Sequence, residues 1–335
     1  MNSRDVVFYS RGVKLAGKVN VPDDYQAGTK LPCIIPCSGY TGIGAAYPSL
    51  LSRMFTKHGY ATVTFDYTGW APSEGEPGHT TAEGEYDDIL AAYIFATQQP
   101  EIQAENIGLF GWGFAAATVL KITADYPEIK AVGCGNGIYN GDECLRSVLS
   151  WEDYVQFKKI ARADLVKRVM TGEMVKVPPY QTMGNTRGYS YRTGKIEPLT
   201  LQWMIDNVDV AYNKEDFTNT HNFMDVLGVP EAIERDYGGR ENFPPYHTLE
   251  STDSFLRIDA FYDVQRLAPR PVFIVHAVED GTYPIAGAKA IAKAIGATCT
   301  TCWVPGDHND FMFDDDPNFA LFSESIVSFY DKALK

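Results

Sequence analysis

The stretch Asn106-Ile107-Gly108-Leu109-Phe110-Gly111-Trp112-Gly113-Phe114-Ala115-Ala116 decides the fold. A short apolar run, Ile107 to Phe110, reads as a buried strand. Through Gly-x-Gly-x-Ala it passes straight into Phe114 to Asp125, whose apolar positions recur at helical spacing. A strand that turns this sharply into a helix is the setting of a nucleophile elbow, where the central residue is held exposed on a strained turn. Small residues at Gly111 and Ala115 let strand and helix pack closely, and Ala115 replaces the usual second glycine. The central position is Gly113, which carries no hydroxyl to attack a carbonyl. Glycine is at ease at the positive φ of such a turn, so Gly113 favours the fold while removing covalent catalysis. Two explanations fit: an introduced Ser-to-Gly inactivation, favoured by the otherwise intact partner residues, or a natural departure.

Outward from the elbow, strand and helix signals alternate as in a mostly parallel, doubly wound sheet. Val6 to Tyr9 and Lys14 to Val19 read as an opening antiparallel pair, and Leu31 to Pro36 as a strand. Tyr47 to His58 reads as a helix, Ala61 to Asp66 as a strand, Glu85 to Thr97 as a helix and Lys130 to Cys134 as a strand. The alternation breaks near Asn140, where apolar residues return at helical spacing over Leu145 to Phe157 and Ala161 to Val169. It resumes with a strand at Pro271 to His276, a helix at Ile285 to Ile295, a strand at Thr300 to Val304 and a helix at Phe319 to Leu334. The expected organisation is an α/β core, 1–139 and 267–335, interrupted by a largely helical cap, 140–266. Such a cap lies over the carboxyl edge of the sheet, where open α/β sheets bind ligands. Its aromatic residues, Tyr180, Tyr189, Tyr191, Trp203, Tyr212 and Tyr246, suit either a pocket for flat groups or the cap's own core.

The acid and base that an elbow needs appear downstream in the chain order of this fold. Asp280, in His276-Ala277-Val278-Glu279-Asp280-Gly281-Thr282-Tyr283-Pro284, follows a strand and precedes a helix, with Glu279 as the fallback acid. His308, in Pro305-Gly306-Asp307-His308-Asn309, follows the last strand and is the base, since an imidazole there can take a proton while a carboxylate holds its other nitrogen. His276 reads as a core imidazole. Oxyanion donors are expected from the backbone N–H groups of Phe114 and Tyr40, the latter in Ser38-Gly39-Tyr40-Thr41-Gly42. Trp70 and Trp112 are candidate substrate-binding pocket walls. Cys37 and Ser38 lie near enough to be weighed as substitute nucleophiles, but neither sits on an elbow.

These segments resemble a known group. Pro36 to Gly42, Phe65-Asp66-Tyr67-Thr68-Gly69-Trp70 with Ser73 to Pro77, Gly108 to Phe114, and His276 to Pro284 look like α/β hydrolases related to dienelactone hydrolases and the peptidase S15 core. That group includes fungal polyketide-transferase-like hydrolases. The resemblance maps the family's serine onto Gly113 and implies an esterase, thioesterase or acyltransferase by ancestry. It covers the core and leaves the insertion, where substrate choice resides, unassigned.

Composition limits the remainder. A net charge of −14, from 43 acidic and 29 basic residues, argues against nucleic acid and anionic membranes as partners and leaves a small molecule, with a homo-oligomer compatible. No leader-like segment opens the chain and no run approaches the ~18 apolar residues of a membrane span, so a cytoplasmic protein is expected. The six cysteines are scattered, and Cys299 and Cys302 fall on a strand that points them to opposite faces, so no metal is expected, and no cofactor is expected because no Gly-x-Gly-x-x-Gly or P-loop follows the first strand. Three functions remain open: a serine-type hydrolase or acyltransferase on an ester, thioester or activated ketone that lacks its nucleophile; a naturally serine-free enzyme using His308 for C–C cleavage, elimination or cyclisation; and a non-catalytic ligand-binding relative.

Overall fold

The apolar runs form strands because they carry β-branched and aromatic side chains between Gly- and Pro-bearing turns. The computed structural model describes residues 1–39, 42–148, 150–177, 189–190, 195–196, 229–239, 247–281 and 283–335. Its core strands are β1 (Asn2–Ser10), β2 (Val13–Val21), β3 (Leu31–Cys37), β4 (Ala61–Phe65), β5 (Ile102–Trp112), β6 (Ala131–Gly135), β7 (Val272–Ala277) and β8 (Cys299–Val304). They make one eight-stranded sheet in the order β1-β2-β4-β3-β5-β6-β7-β8. Every pairing from β4 to β8 is parallel, and β2 runs antiparallel to β1 and β4. This is the doubly wound α/β architecture expected from the alternation.

The helices α1 (Tyr47–Lys57), α2 (Ala82–Thr97) and α3 (Ala115–Asp125) follow β3, β4 and β5. Ahead of β7 lie α4 (Gly141–Val148), α5 (Trp151–Thr171), α6 (Val229–Tyr237) and α7 (Leu249–Phe255), and α8 (Ile285–Ile295) and α9 (Phe319–Leu334) close the chain. One face of the sheet packs on α2, α3 and α8 through Ile89, Ala92, Val119, Leu120, Ala288 and Ile291. The other packs on α1 and α9 through Leu51, Phe55, Phe322 and Ile326. Strands β4 and β7 are buried along their whole length, and the polar side chains that interrupt their apolar runs, Thr62, Thr64 and His276, are buried with them, the two threonine hydroxyls accepting from the Asn20 amide of β2.

Two helices expected in the first part of the insertion divide elsewhere than their apolar spacing suggests. The break falls before Ser150, whose hydroxyl caps α5 by accepting from the Asp153 N–H, and α5 then runs unbroken to Gly172, which ends it at φ +75°. A capping serine and a left-handed glycine thus outrank the hydrophobic period in placing the ends. The insertion rests on the carboxyl edge of the sheet: Leu145, Phe157, Leu249 and Phe255 form an apolar cluster with Phe114 and Tyr283. Among the described residues no helix is long and apolar enough to cross a membrane.

The strand order reverses at β3. The chain leaves it to one side for β4 and returns to the other side for β5. The carboxyl ends of β3 and β5 therefore open a crevice at a switch point, and the loop after Cys37 and the turn at Gly113 both lie there.

Candidate active site

Gly113 sits between β5 and α3 at φ +58°, and Phe114 immediately takes helical angles as the N-cap residue of α3. The turn is held by backbone. The Gly113 N–H donates to the Gly135 carbonyl (2.9 Å), and the Gly113 carbonyl accepts from Ile138 (3.1 Å) and Ala116 (3.3 Å). Gly111 is obligatory, because a Cβ there would stand 2.4 Å from the Ala115 carbonyl oxygen. Gly39 is equally constrained, with a Cβ falling 2.9 Å from the Trp112 carbonyl oxygen. Position 113 differs. A Cβ added to it meets only Tyr283 Cε2 at 3.7 Å and Gly39 Cα at 3.9 Å, which is ordinary contact. The elbow is therefore built, and its central position has room for a side chain.

Asp280 and His308, the candidate acid and base, lie side by side. His308 Nδ1 lies 2.7 Å from Asp280 Oδ2. A carboxylate accepts only, so Nδ1–H donates and Nε2 is the nitrogen left to act as a base. The other carboxylate oxygen of Asp280 accepts the Tyr283 N–H at 2.7 Å. Burial, the largest influence, would raise Asp280, but the charge and hydrogen bond of His308, the Tyr283 N–H and the nearby His276 together hold it below the usual carboxylate range. Glu279, the fallback acid, is spent elsewhere: its Oε2 accepts the Gly306 N–H at 2.6 Å and steadies the base loop.

That loop is tied on every side. Asp307 Oδ1 accepts from Gly281 (3.0 Å) and His308 (2.7 Å), and Tyr47 Oη donates to Asn309 Oδ1 (2.9 Å). Rings bracket the imidazole: Tyr283 meets it edge-on at 4.8 Å and Trp112 at 5.8 Å between centroids. Tyr283 is the link to the elbow, since its ring is also what a Cβ at position 113 would touch. Such fixed geometry is what a general base requires, because reorganisation during reaction is avoided.

Other residues singled out in the sequence fall as follows. Phe114 is buried and packs against Phe255 with the rings tilted at 50°, 4.2 Å between ring centroids. Trp112 is buried against His308, Tyr47 and Phe311. Trp70 is buried beside His247 and donates its indole N–H to Thr80 Oγ1 at 2.9 Å. Tyr40 lies outside the described residues, as do the side chains of the insertion's Tyr180, Tyr189, Tyr191, Trp203, Tyr212 and Tyr246. Cys37 and Ser38 are buried, and burial with the nearby Glu85 pushes the Cys37 thiol upward, away from the thiolate a nucleophile needs. All six cysteines are free.

Two residues carry more than the sequence discloses. His276 is in the core, as expected, yet its Nε2–H donates to the Tyr283 carbonyl at 2.8 Å and stands 3.4 Å from Asp280 Oδ2. Burial lowers its pKa against the opposing pull of Asp280 and the Tyr283 carbonyl, and it pins the acid loop from below. Asn136, which the sequence shows only as a turn between glycines, bonds to β7 and to the His308 carbonyl.

The reversed strand order, the elbow at Gly113 and the Asp280–His308 pair at one sheet edge define an α/β hydrolase by fold. Residues 11–156 match the family described as X-Pro dipeptidyl-peptidase (S15 family). An uncharacterized 31.7 kDa protein from the traX-finO intergenic region of Escherichia coli is 27% identical over 187 residues, 56% of this chain. The chain spans 62% of that relative's length. Polyketide transferase claH of Penicillium crustosum is 22% identical over 254 residues, 74% of this chain and 71% of its own. The crystal structure of the α/β hydrolase GrgF from Penicillium sp. sh18 superposes with a TM-score of 0.71 at 17% identity, covering 100% of this chain and 99% of its own.

Proposed function

We propose that this chain carries the site of a serine-type hydrolase or acyltransferase for a small or medium ester, thioester or activated ketone, with Gly113 in the seat of the nucleophile. The observation that carries this is the Asp280–His308 hydrogen bond facing the same ring, Tyr283, that borders an elbow residue at φ +58° where a Cβ fits in ordinary contact. The relative named polyketide transferase and the matching S15 family support acyl-transfer chemistry.

In the complete site a hydroxyl at position 113 attacks the substrate carbonyl while His308 Nε2 takes its proton. Asp280 holds Nδ1–H and stabilises the imidazolium, and the N–H groups of Phe114 and Tyr40 meet the oxyanion. His308 then returns the proton to the leaving group, and water or an acyl acceptor repeats the cycle in reverse. Trp70 and Trp112 belong to the walls of this pocket. With Gly113 the first bond cannot form, so the chain binds its small-molecule substrate without an acyl-enzyme.

A second reading rests on the same glycine, because Gly is the residue at ease at this φ and the acid–base pair stands complete beside it. In it, His308 moves a proton for C–C cleavage, elimination or cyclisation without a nucleophile.

The test is turnover of a panel of chromogenic esters and thioesters by this chain, by Gly113→Ser and by Gly113→Ser with His308→Ala. The acyl-transfer reading requires an idle parent, an active serine variant and a control that loses about 10³-fold or more. An inactive Gly113→Ser beside a parent that converts a ligand unaided overturns it in favour of the second.

A further inference from the structure

We propose that Asn136 is the positioning residue of the acid–base pair, fixing His308 to the strand that delivers Asp280 and to the backbone rung that holds Gly113. The inference deepens the acyl-transfer reading of the site and rests on it for its catalytic consequence, while the geometry it invokes stands in the chain as it is.

Asn136 is the first residue beyond β6, fully buried at 0% exposure, with φ +41°. Its N–H donates to the Val275 carbonyl at 3.0 Å and so extends the β6–β7 ladder by one rung. Its side chain then does two things with one amide. Oδ1 accepts the Ala277 N–H at 2.7 Å, at the end of β7 and three residues before Asp280. Nδ2 donates to the carbonyl oxygen of His308 itself. One residue earlier, the Gly135 carbonyl receives the Gly113 N–H at 2.9 Å, and two residues later the Ile138 N–H donates to the Gly113 carbonyl at 3.1 Å. The supports of all three triad positions thus meet within the segment Gly135 to Ile138.

The residue type follows from these demands. The position needs a left-handed backbone, which Asn tolerates better than other side chains, together with one donor and one acceptor on a short stem. Asp offers no donor to a carbonyl, and Gly supplies the φ but neither bond. The neighbours leave no slack: a Cβ on Gly135 would stand 2.5 Å from the Trp112 ring, and one on Gly137 would stand 2.4 Å from the Ala116 Cβ. A left-handed non-glycine in such a place marks a position that its surroundings over-determine, as happens at functional sites. Merely filling the sheet end would require the bond to β7 and no bond to His308.

The experiment uses the parent chain and the variants Asn136→Gly, which retains the backbone preference, and Asn136→Asp, which keeps shape and the acceptor. Proton NMR follows the far-downfield Nδ1–H shared by His308 and Asp280, and circular dichroism confirms the fold. In the parent, the Asn136 side-chain amide protons are also followed while His308 is titrated. The expected results are a shared proton lost or broadened in both variants, and amide protons that move with His308 in the parent. In the Gly113→Ser background, kcat falls about 10–100-fold with KM unchanged, the scale of a small misplacement of a catalytic group. A shared proton unaltered in a folded variant overturns the inference, and so do parent amide protons indifferent to His308, a reading that holds even if neither variant folds. If Gly113→Ser has no activity, the acyl-transfer reading fails on its own count while the NMR result still decides Asn136.

Discussion

Two carboxylates are buried at opposite sides of the elbow, Asp280 at 8% exposure and Glu85 at 0%, and they are held in opposite charge states. Asp280 lies in the loop after β7, where His308 and the Tyr283 N–H overcome the upward pull of burial and keep it low. Glu85 is on α2 under the elbow helix. Burial pushes it up to about 8, opposed in part by the Thr118 hydroxyl of α3 and reinforced by Asp88. Burial is common to both, so partners decide the outcome. The acid–base side is built of side-chain hydrogen bonds around a charge, whereas the elbow side is built of backbone and small residues over a neutral acid.

The largest effect should come from breaking the charged side. In the Gly113→Ser background, Asp280→Asn should lower kcat by about 10³–10⁴-fold, because His308 loses the partner that orients it and stabilises its cation. Retained activity would mean that Glu279 can stand in. The amide oxygen of Asn can still accept the Tyr283 N–H, so the fold should survive. The pH dependence of stability has a definite sign. Asp280 is lowered in the folded state, so its contribution is present above the unfolded carboxylate pKa of about 3.9 and is lost as pH falls through the folded value.

The neutral side predicts the opposite slope. Glu85 ionises near pH 4.5 when unfolded and near 8 when folded, so the native state binds the extra proton between those values. Its presence therefore costs nothing below about pH 4 and progressively more as pH rises to 8, where the cost levels off at a few kcal/mol. Glu85→Gln should raise stability by that order at pH 9, leave it nearly unchanged at pH 4, and flatten the profile between. Urea unfolding of both chains at pH 4, 7 and 9 measures this, and parallel profiles would show that Glu85 is already charged and paired.

The same contrast explains what the sequence reveals and what it hides. The elbow is legible because its constraints are local: Gly111 and Ala115 must be small where strand meets helix, and both lie within a few residues of Gly113. Asp280 and His308 are legible because each follows a strand in the order that the fold imposes. Asn136 is hidden, since Gly135-Asn136-Gly137 carries the composition of an ordinary turn, and its bond to His308 joins residues 172 positions apart. His276 is legible as buried and illegible as a support of the acid loop, because that role depends on how the loop returns over β7. The start of α5 is hidden for a different reason: the capping Ser150 competes with a hydrophobic period that runs past it.

A smaller effect probes the backbone side directly. Gly111→Ala places a methyl group 2.4 Å from the Ala115 carbonyl oxygen, where neither strand nor helix can yield cheaply. A loss of about 1–3 kcal/mol is expected from such overpacking, read from denaturant midpoints at constant m-value. In the Gly113→Ser background the displaced turn should also lower kcat. A fully stable Gly111→Ala would show that helix α3 can shift away from β5, and the elbow would then not be fixed by close approach.

The smallest expected effect is the most discriminating for position 113. Its φ of +58° makes any side chain unfavourable, but the added Cβ finds Tyr283 and Gly39 at 3.7 and 3.9 Å, so no clash accompanies the backbone cost. Gly113→Ser should therefore destabilise by only about 1 kcal/mol, the low end of the cost of a non-glycine residue in the left-handed region. Gly113→Ala should cost nearly the same, since the hydroxyl adds little volume. If both variants lose that amount and only serine brings turnover, the turn is a seat shaped for a nucleophile. If either loses more than about 3 kcal/mol, the space is not there, and glycine at 113 is a requirement of the turn.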